Sequence, residues 1–284
     1  MKSFTLLASL LATVSATAFP NHPSGPPSGT PNPTSTPSSL PGPDLAKITS
    51  VPQNSFQSYP VGGLHRGNPH SNTTSHVTKR WTCNGSPTFT WGDTDNGGKG
   101  ILITNGDSAG WRGFYVYHNG CDSVPYKYIW VNAGETEFIS LPDQFEGRIV
   151  RGVDSSMLSG SPQLLASWFE VSWDQNGVAW GDVSLIRGCD GGVLMWSTDG
   201  SGAWKGFTQW ILDGAPTGAY DMKNDGQWVL KATENADGSL NTIPRDWEIQ
   251  QVGIEYVYVD DYHGNPVISG NDGRFGTYWP AGRP

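Results

Sequence analysis

Cysteine is scarce in this chain, at three residues in 284, and of six histidines only His118 and His263 lie beyond residue 80. No CxxC pair occurs, so a closed tetrahedral zinc centre has too few donors; neither a metal nor a cofactor is expected. Basic residues are also few, 17 Lys and Arg against 26 Asp and Glu, and beyond residue 80 the balance is 12 against 25. Nucleic acid is thereby excluded as a partner, because phosphate binding depends on Lys and Arg neutralising backbone charge, and anionic membranes are disfavoured for the same reason. No apolar run approaches the roughly 20 residues that span a bilayer, so no membrane anchor is expected. Helical apolar periodicity is nearly absent too, apart from a turn or two at "DWEIQQVG".

What is present divides the chain. Lys2, the apolar run "LLASLLATV" and the small residues Ala16-Thr17-Ala18 make 1–18 a signal peptide, implying a secreted, extracellular or cell-wall protein. Residues 19–80 are rich in Pro and Ser and hold no tryptophan, whereas all 13 tryptophans follow. Such a stretch buries too little apolar surface to offset its chain entropy and reads as a disordered propeptide. It ends at the dibasic pair Lys79-Arg80, the expected processing site, leaving Trp81 as the mature N-terminus. Residues 81–284 then form one domain large enough for its own core. Asn72 and Asn84 begin glycosylation sequons, of which only Asn84 survives that cleavage. A secreted domain with Cys83, Cys121 and Cys189 has room for one disulfide and one leftover thiol, with three pairings open.

The domain reads as strands. "GILITN" (100–105), "GFYVYHN" (113–119), "KYIWVN" (127–132), "TEFISL" (136–141), "GRIVRG" (147–152), "WVLKA" (228–232) and "GIEYVYVDD" (253–261) are short and rich in β-branched and aromatic residues. Between them, "DNGG", "DQNG", "STDGSG" and "NADGS" place Gly after Asn or Asp, where positive φ is tolerated. An all-β antiparallel sandwich or barrel is expected. The loop "GDTDNGGKG" has a calcium-loop flavour in Asp93, Asp95 and Asn96, but Thr104 stands where such a loop needs Glu, so it reads as a turn.

Two runs carry charge onto a strand face. In "SWFEVSW" the alternation sends Phe169, Val171 and Trp173 one way and Trp168, Glu170 and Ser172 the other; in "GDVSLI" it buries Val183 and Leu185 and leaves Asp182 and Ser184 outward. The loop "DQNGVAWG" would make the two strands neighbours, with Glu170 and Asp182 on one face.

The order of "ILITNGDSAGWRGFYVY", "VNAGETEFISLP", "EGRIVRG", "LLASWFEVSWDQNGVAWGDVSLIRG" and "EYVYVDDYHGNPVISGNDGRFGTYWP" resembles the thaumatin-like family of secreted β proteins over about two-thirds of the 81–284 region. The resemblance implies a thaumatin-like antiparallel β-sandwich with loop-rich excursions and an acidic cleft that binds, and in some members cleaves, β-1,3-glucan. Residue by residue it points to Arg148, Glu170, Asp182 and Asp261, with Asp260 as the alternative to Asp261. Arg187 stands where the family usually has a further acid, which tells more against hydrolysis than against binding. The cysteine pattern is sparser than in large members and looks like that of divergent fungal secreted relatives, some of them antigens or allergens.

Glycoside cleavage needs a protonated acid and an ionised carboxylate, about 5–5.5 Å apart for retention. Glu170, desolvated by aromatic neighbours, is the expected general acid, with Asp182 ionised. Arg148, Asp261 and the face of Trp168 are expected to hold sugar. His263 lies near Asp261, but no Ser or Cys is placed to make a triad with it. Two function classes follow: a monomeric binder of cell-wall polysaccharide, β-1,3-glucan foremost, with weak endo-β-1,3-glucanase activity as a further expectation; or a non-catalytic secreted antigen, allergen or effector with a protein partner.

Overall fold

Short alternating runs punctuated by Gly, Asn and Asp build two packed sheets in the computed structural model, which describes residues 82–284 apart from Leu164 and Asp225. The segments expected to be a signal peptide and a propeptide, with Asn72, Lys79 and Arg80, lie outside the described residues. In chain order the strands are β1 (Thr88–Thr90), β2 (Gly100–Asn105), β3 (Arg112–His118), β4 (Lys127–Val131), β5 (Thr136–Ser140), β6 (Glu146–Gly152), β7 (Trp168–Trp173), β8 (Ala179–Ser184), β9 (Val193–Ser197), β10 (Trp204–Phe207), β11 (Tyr220–Met222), β12 (Trp228–Leu230), β13 (Ile268–Gly270) and β14 (Arg274–Trp279). Two helices intervene, α1 (Asp154–Met157) and α2 (Thr242–Gln251).

A seven-stranded sheet runs β1-β4-β3-β6-β7-β8-β13 and a five-stranded one β10-β9-β14-β2-β5, with β11 and β12 pairing apart. The expected all-β sandwich is present, with one difference: β1 pairs β4, and β14 pairs β2, in parallel. Ile101, Ile103, Phe114, Ile149, Phe169, Val183, Phe275 and Trp279 belong to one continuous buried core. A second cluster, Tyr115, Tyr117, Val150, Met157 and Ala166, forms on the opposite face of the large sheet, with Trp168 packed against it. That outer face is therefore apolar at the β3–β6 end, where α1 lies over it, and charged further along.

Two expectations fail locally. "GIEYVYVDD" is no strand: it turns, then touches β8 through a single bridge, Ser184 to Tyr258. Tyr258 N–H donates to Val183 O (2.8 Å) and Leu185 N–H to Tyr258 O (2.8 Å), which covers Ser184 and buries it although its face was expected to be open. The helix at "DWEIQQVG" begins at Thr242, earlier than its apolar spacing suggests, with Pro244 in the first turn, where no intrahelical N–H bond is lost.

Candidate functional site

The large sheet brings three charged side chains from separate segments into one row. Antiparallel register pairs Arg148 of β6 with Glu170 of β7, and Glu170 with Asp182 of β8. Directly opposite residues share a face, with Cβ atoms about 4.5–5.5 Å apart. β7 shows the strict alternation read from sequence, Phe169, Val171 and Trp173 buried and Trp168, Glu170 and Ser172 partly exposed. Its turn into β8 is closed by Asp174, whose Oδ1 accepts from the N–H of Asn176 (2.8 Å) and of Val178 (3.0 Å), while Gly177 takes φ 85°.

Arg148, at the covered end of the row, is 2% exposed. Its guanidinium lies 4.2 Å from the ring centre of Trp168 and 5.0 Å from that of Tyr117; Nε donates to Gln163 Oε1 (3.0 Å) and Nη2 pairs with Asp122 Oδ1 (2.6 Å). Arg148 is thus a fixed wall of the row whose charge is shared with Asp122. Trp168, expected to offer an open face to sugar, already carries this guanidinium on one face, because cation–π contact with Arg148 is favourable where both are desolvated.

Glu170 and Asp182 are half-buried. Burial raises the Glu170 carboxyl above its usual range, as does the charge of Asp261; Arg148, a hydrogen bond from Ser184, and Arg187 act to lower it. Burial raises Asp182 well above its usual range, and the neighbouring Glu170 raises it further, with no cation opposing. Asp182 Oδ1 is buried with no hydrogen-bond partner among the described residues. The pair, titrating together, therefore retains a proton into the range where free carboxyls have lost theirs. The cations that act on the pair, Arg148 and Arg187, act on Glu170.

Asp260 and Asp261 separate clearly. Asp260 is fully buried; both its oxygens lie 2.8 Å from His263 Nδ1, and Oδ1 also accepts from the N–H of Tyr262 and of His263 (2.9 Å each). It builds the turn, so His263 is paired with Asp260 and not with Asp261. Asp261 is exposed, donates its N–H to Glu234 Oε1 (2.8 Å), and raises the carboxyls of Glu170 and Glu234. Tyr258, on the same flank, has its hydroxyl pushed up to about 12 by burial and by Asp182, Glu170 and Asp261.

Ser184, placed beside Asp182 by the alternation, and Asp122, Gln163, Tyr117, Tyr258 and Glu234, which sequence reasoning missed, complete the surroundings of the row. Only Asp122, next to Cys121, carried a local signal. The cysteine pairing is Cys83 with Cys121, leaving Cys189 buried and free. The calcium-like loop is held by cations of the chain itself, Asp93 pairing with Lys127 and Asp95 with Arg274. Asn84 is half-buried with its side-chain amide 3.5 Å from Tyr126 O.

Fold and site together define an all-β sandwich with a carboxyl pair on one sheet face. No protein-family model matches the chain, and no curated protein matches it. Among solved structures it is similar to the thaumatin-like xylanase inhibitor TLXI, at 11% identity and a TM-score of 0.33 over 63% of this chain and 97% of that one. It is also similar to the protein elicitor MoHrip2 from Magnaporthe oryzae, at 12% identity and a TM-score of 0.29 over 46% of this chain and 89% of that one.

Proposed function

We propose that the protein is a secreted binder of β-1,3-glucan, with Glu170, Asp182 and Asp261 as the groups that meet sugar hydroxyls and Arg148 and Trp168 as the wall that orders them. The observation that carries this is the paired register of Glu170 and Asp182, with the buried Asp182 Oδ1 unpartnered. A carboxyl that keeps its proton beside one that tends to ionise offers a donor and an acceptor about one hydroxyl apart, and each sugar hydroxyl both donates and accepts. Secretion is supported by the Cys83–Cys121 disulfide, a bond that persists in oxidising compartments. Retention of the secreted chain on insoluble β-1,3-glucan, weakened at least tenfold in Glu170→Gln and in Asp182→Asn, is the expected result; no retention at any pH between 4 and 8 overturns the proposal.

The split protonation also favours weak hydrolysis as a second reading. Asp182 would protonate the leaving oxygen and Glu170, directly opposite it on the next strand, would act as the ionised partner. Oligosaccharide release equal in Asp182→Asn and wild type would remove Asp182 as the acid.

A further inference from the structure

A second concave site lies in the loop-rich part of the domain and shares no residue with the acid row. Beside the β11–β12 hairpin is an open cleft of about 510 Å³, lined among others by Leu212, Asp213, Thr217, Tyr220, Trp228 and Arg283. Its size falls within the roughly 300–1,000 Å³ of small-molecule sites. Trp228 is 55% exposed and Trp210, beside it across Arg283, is 45% exposed. Indoles in water contribute little to folding, and contiguous exposed apolar surface marks contact sites.

The Trp210 ring and the backbone of Trp228 are held in place through Asp213 and Arg283. Trp210 Nε1 donates to Asp213 Oδ2 (2.7 Å), Arg283 Nη2 to Asp213 Oδ1 (2.8 Å), and Arg283 Nη1 to Trp228 O (2.7 Å). The Arg283 guanidinium lies 5.3 Å from the Trp210 ring centre, and Tyr220 Oη accepts from Ala215 N–H (3.0 Å). Arg283 and Asp213 neutralise each other, and the surrounding domain is acidic, so nothing here attracts an anion. The walls instead suit a neutral ligand with a flat C–H face, drawn to the negative face of an indole, and hydroxyls around its edge. A pyranose ring has that chemistry.

We propose that this cleft is a carbohydrate site separate from the acid row, taking a short stretch of a neutral polysaccharide against Trp228. Affinity electrophoresis of the full secreted chain through gels containing laminarin, xylan, hydroxyethyl cellulose or galactomannan tests it. At least one gel is expected to retard the wild type, and Trp228→Ala to weaken that retardation at least fivefold. Thr217→Trp, which fills the cleft from an exposed loop position, is expected to do the same and serves if the first variant folds poorly. The effect is expected to be equal at pH 5 and pH 8, unlike binding at the acid row. Retardation of both variants matching wild type in every gel, or a wild type retarded in none, overturns the proposal.

Discussion

Both carboxyl oxygens of Glu248 are fully buried in α2 without a hydrogen-bond partner among the described residues, and burial raises this group well above its usual range. A carboxyl whose folded value is raised contributes its full stability below the unfolded value near 4.5 and loses it as pH rises through the folded value. Glu170, Asp182 and Glu234 act in the same direction. Asp93 and Asp107 act oppositely: burial would raise them, but hydrogen bonds and the charges of Lys127 and Arg112 outweigh it and hold them low, so their stabilisation is lost as pH falls below the ordinary aspartate range. The thermal midpoint is therefore expected to peak in mildly acidic solution and decline toward pH 8. Glu248→Leu should flatten the decline and stabilise the domain at pH 8 by about 1–3 kcal/mol, the penalty of a buried unsatisfied group; an unchanged slope would show that Glu248 is not its source. At this scale the period-two alternation made the outward aim of Glu170 and Asp182 legible. That burial raises both carboxyls was less so for Asp182, because its desolvation comes from packing around the pair that no spacing encodes.

The β7–β8 hairpin is the element on which the row depends. Asp174 closes its turn with side-chain bonds to two N–H groups and a backbone N–H to Val178 O (3.0 Å). Asp174→Ala removes the side-chain bonds and should cost about 1–2 kcal/mol, comparable to the loss of a helix cap. Faster amide exchange at Asn176 and Val178 would accompany it; unchanged protection there would contradict this account of the turn. This hairpin could be read from "DQNG" because its chemistry is local. The 253–261 segment could not: its alternating tyrosines look like a strand, yet β13 already takes the β8 edge at Ala179–Gly181, leaving Tyr258 one bridge beyond it. The start of α2 was hidden in the same way, since its buried positions include Pro244 and Glu248, residues that no apolar periodicity registers.

Across the whole molecule, one disulfide ties Cys83, at the start of the described chain, to Cys121, one residue before the Asp122 that pairs with Arg148. The core between the sheets does not include this bond. Chain-entropy arguments for a loop of this size allow up to about 4 kcal/mol from it, so reductant should lower the thermal midpoint without abolishing folding. Cys189, fully buried with its thiol pushed up by burial, should resist alkylation until the domain unfolds. Intact mass after alkylation, with and without denaturant, reads both states; a labelled Cys189 in the native protein would contradict its burial. The two-sheet architecture was legible because strand runs and Gly turns are local signals, whereas the parallel pairings of β1 and β14 join distant segments and left none. The acid row itself is tested most directly by a carboxyl-carbon NMR titration of Glu170 and Asp182 with and without laminarihexaose. Both resonances are expected to titrate above the ordinary carboxyl range, Asp182 highest, and to shift when the sugar is added. Ordinary titration of both, with no response to sugar, would contradict the proposed site.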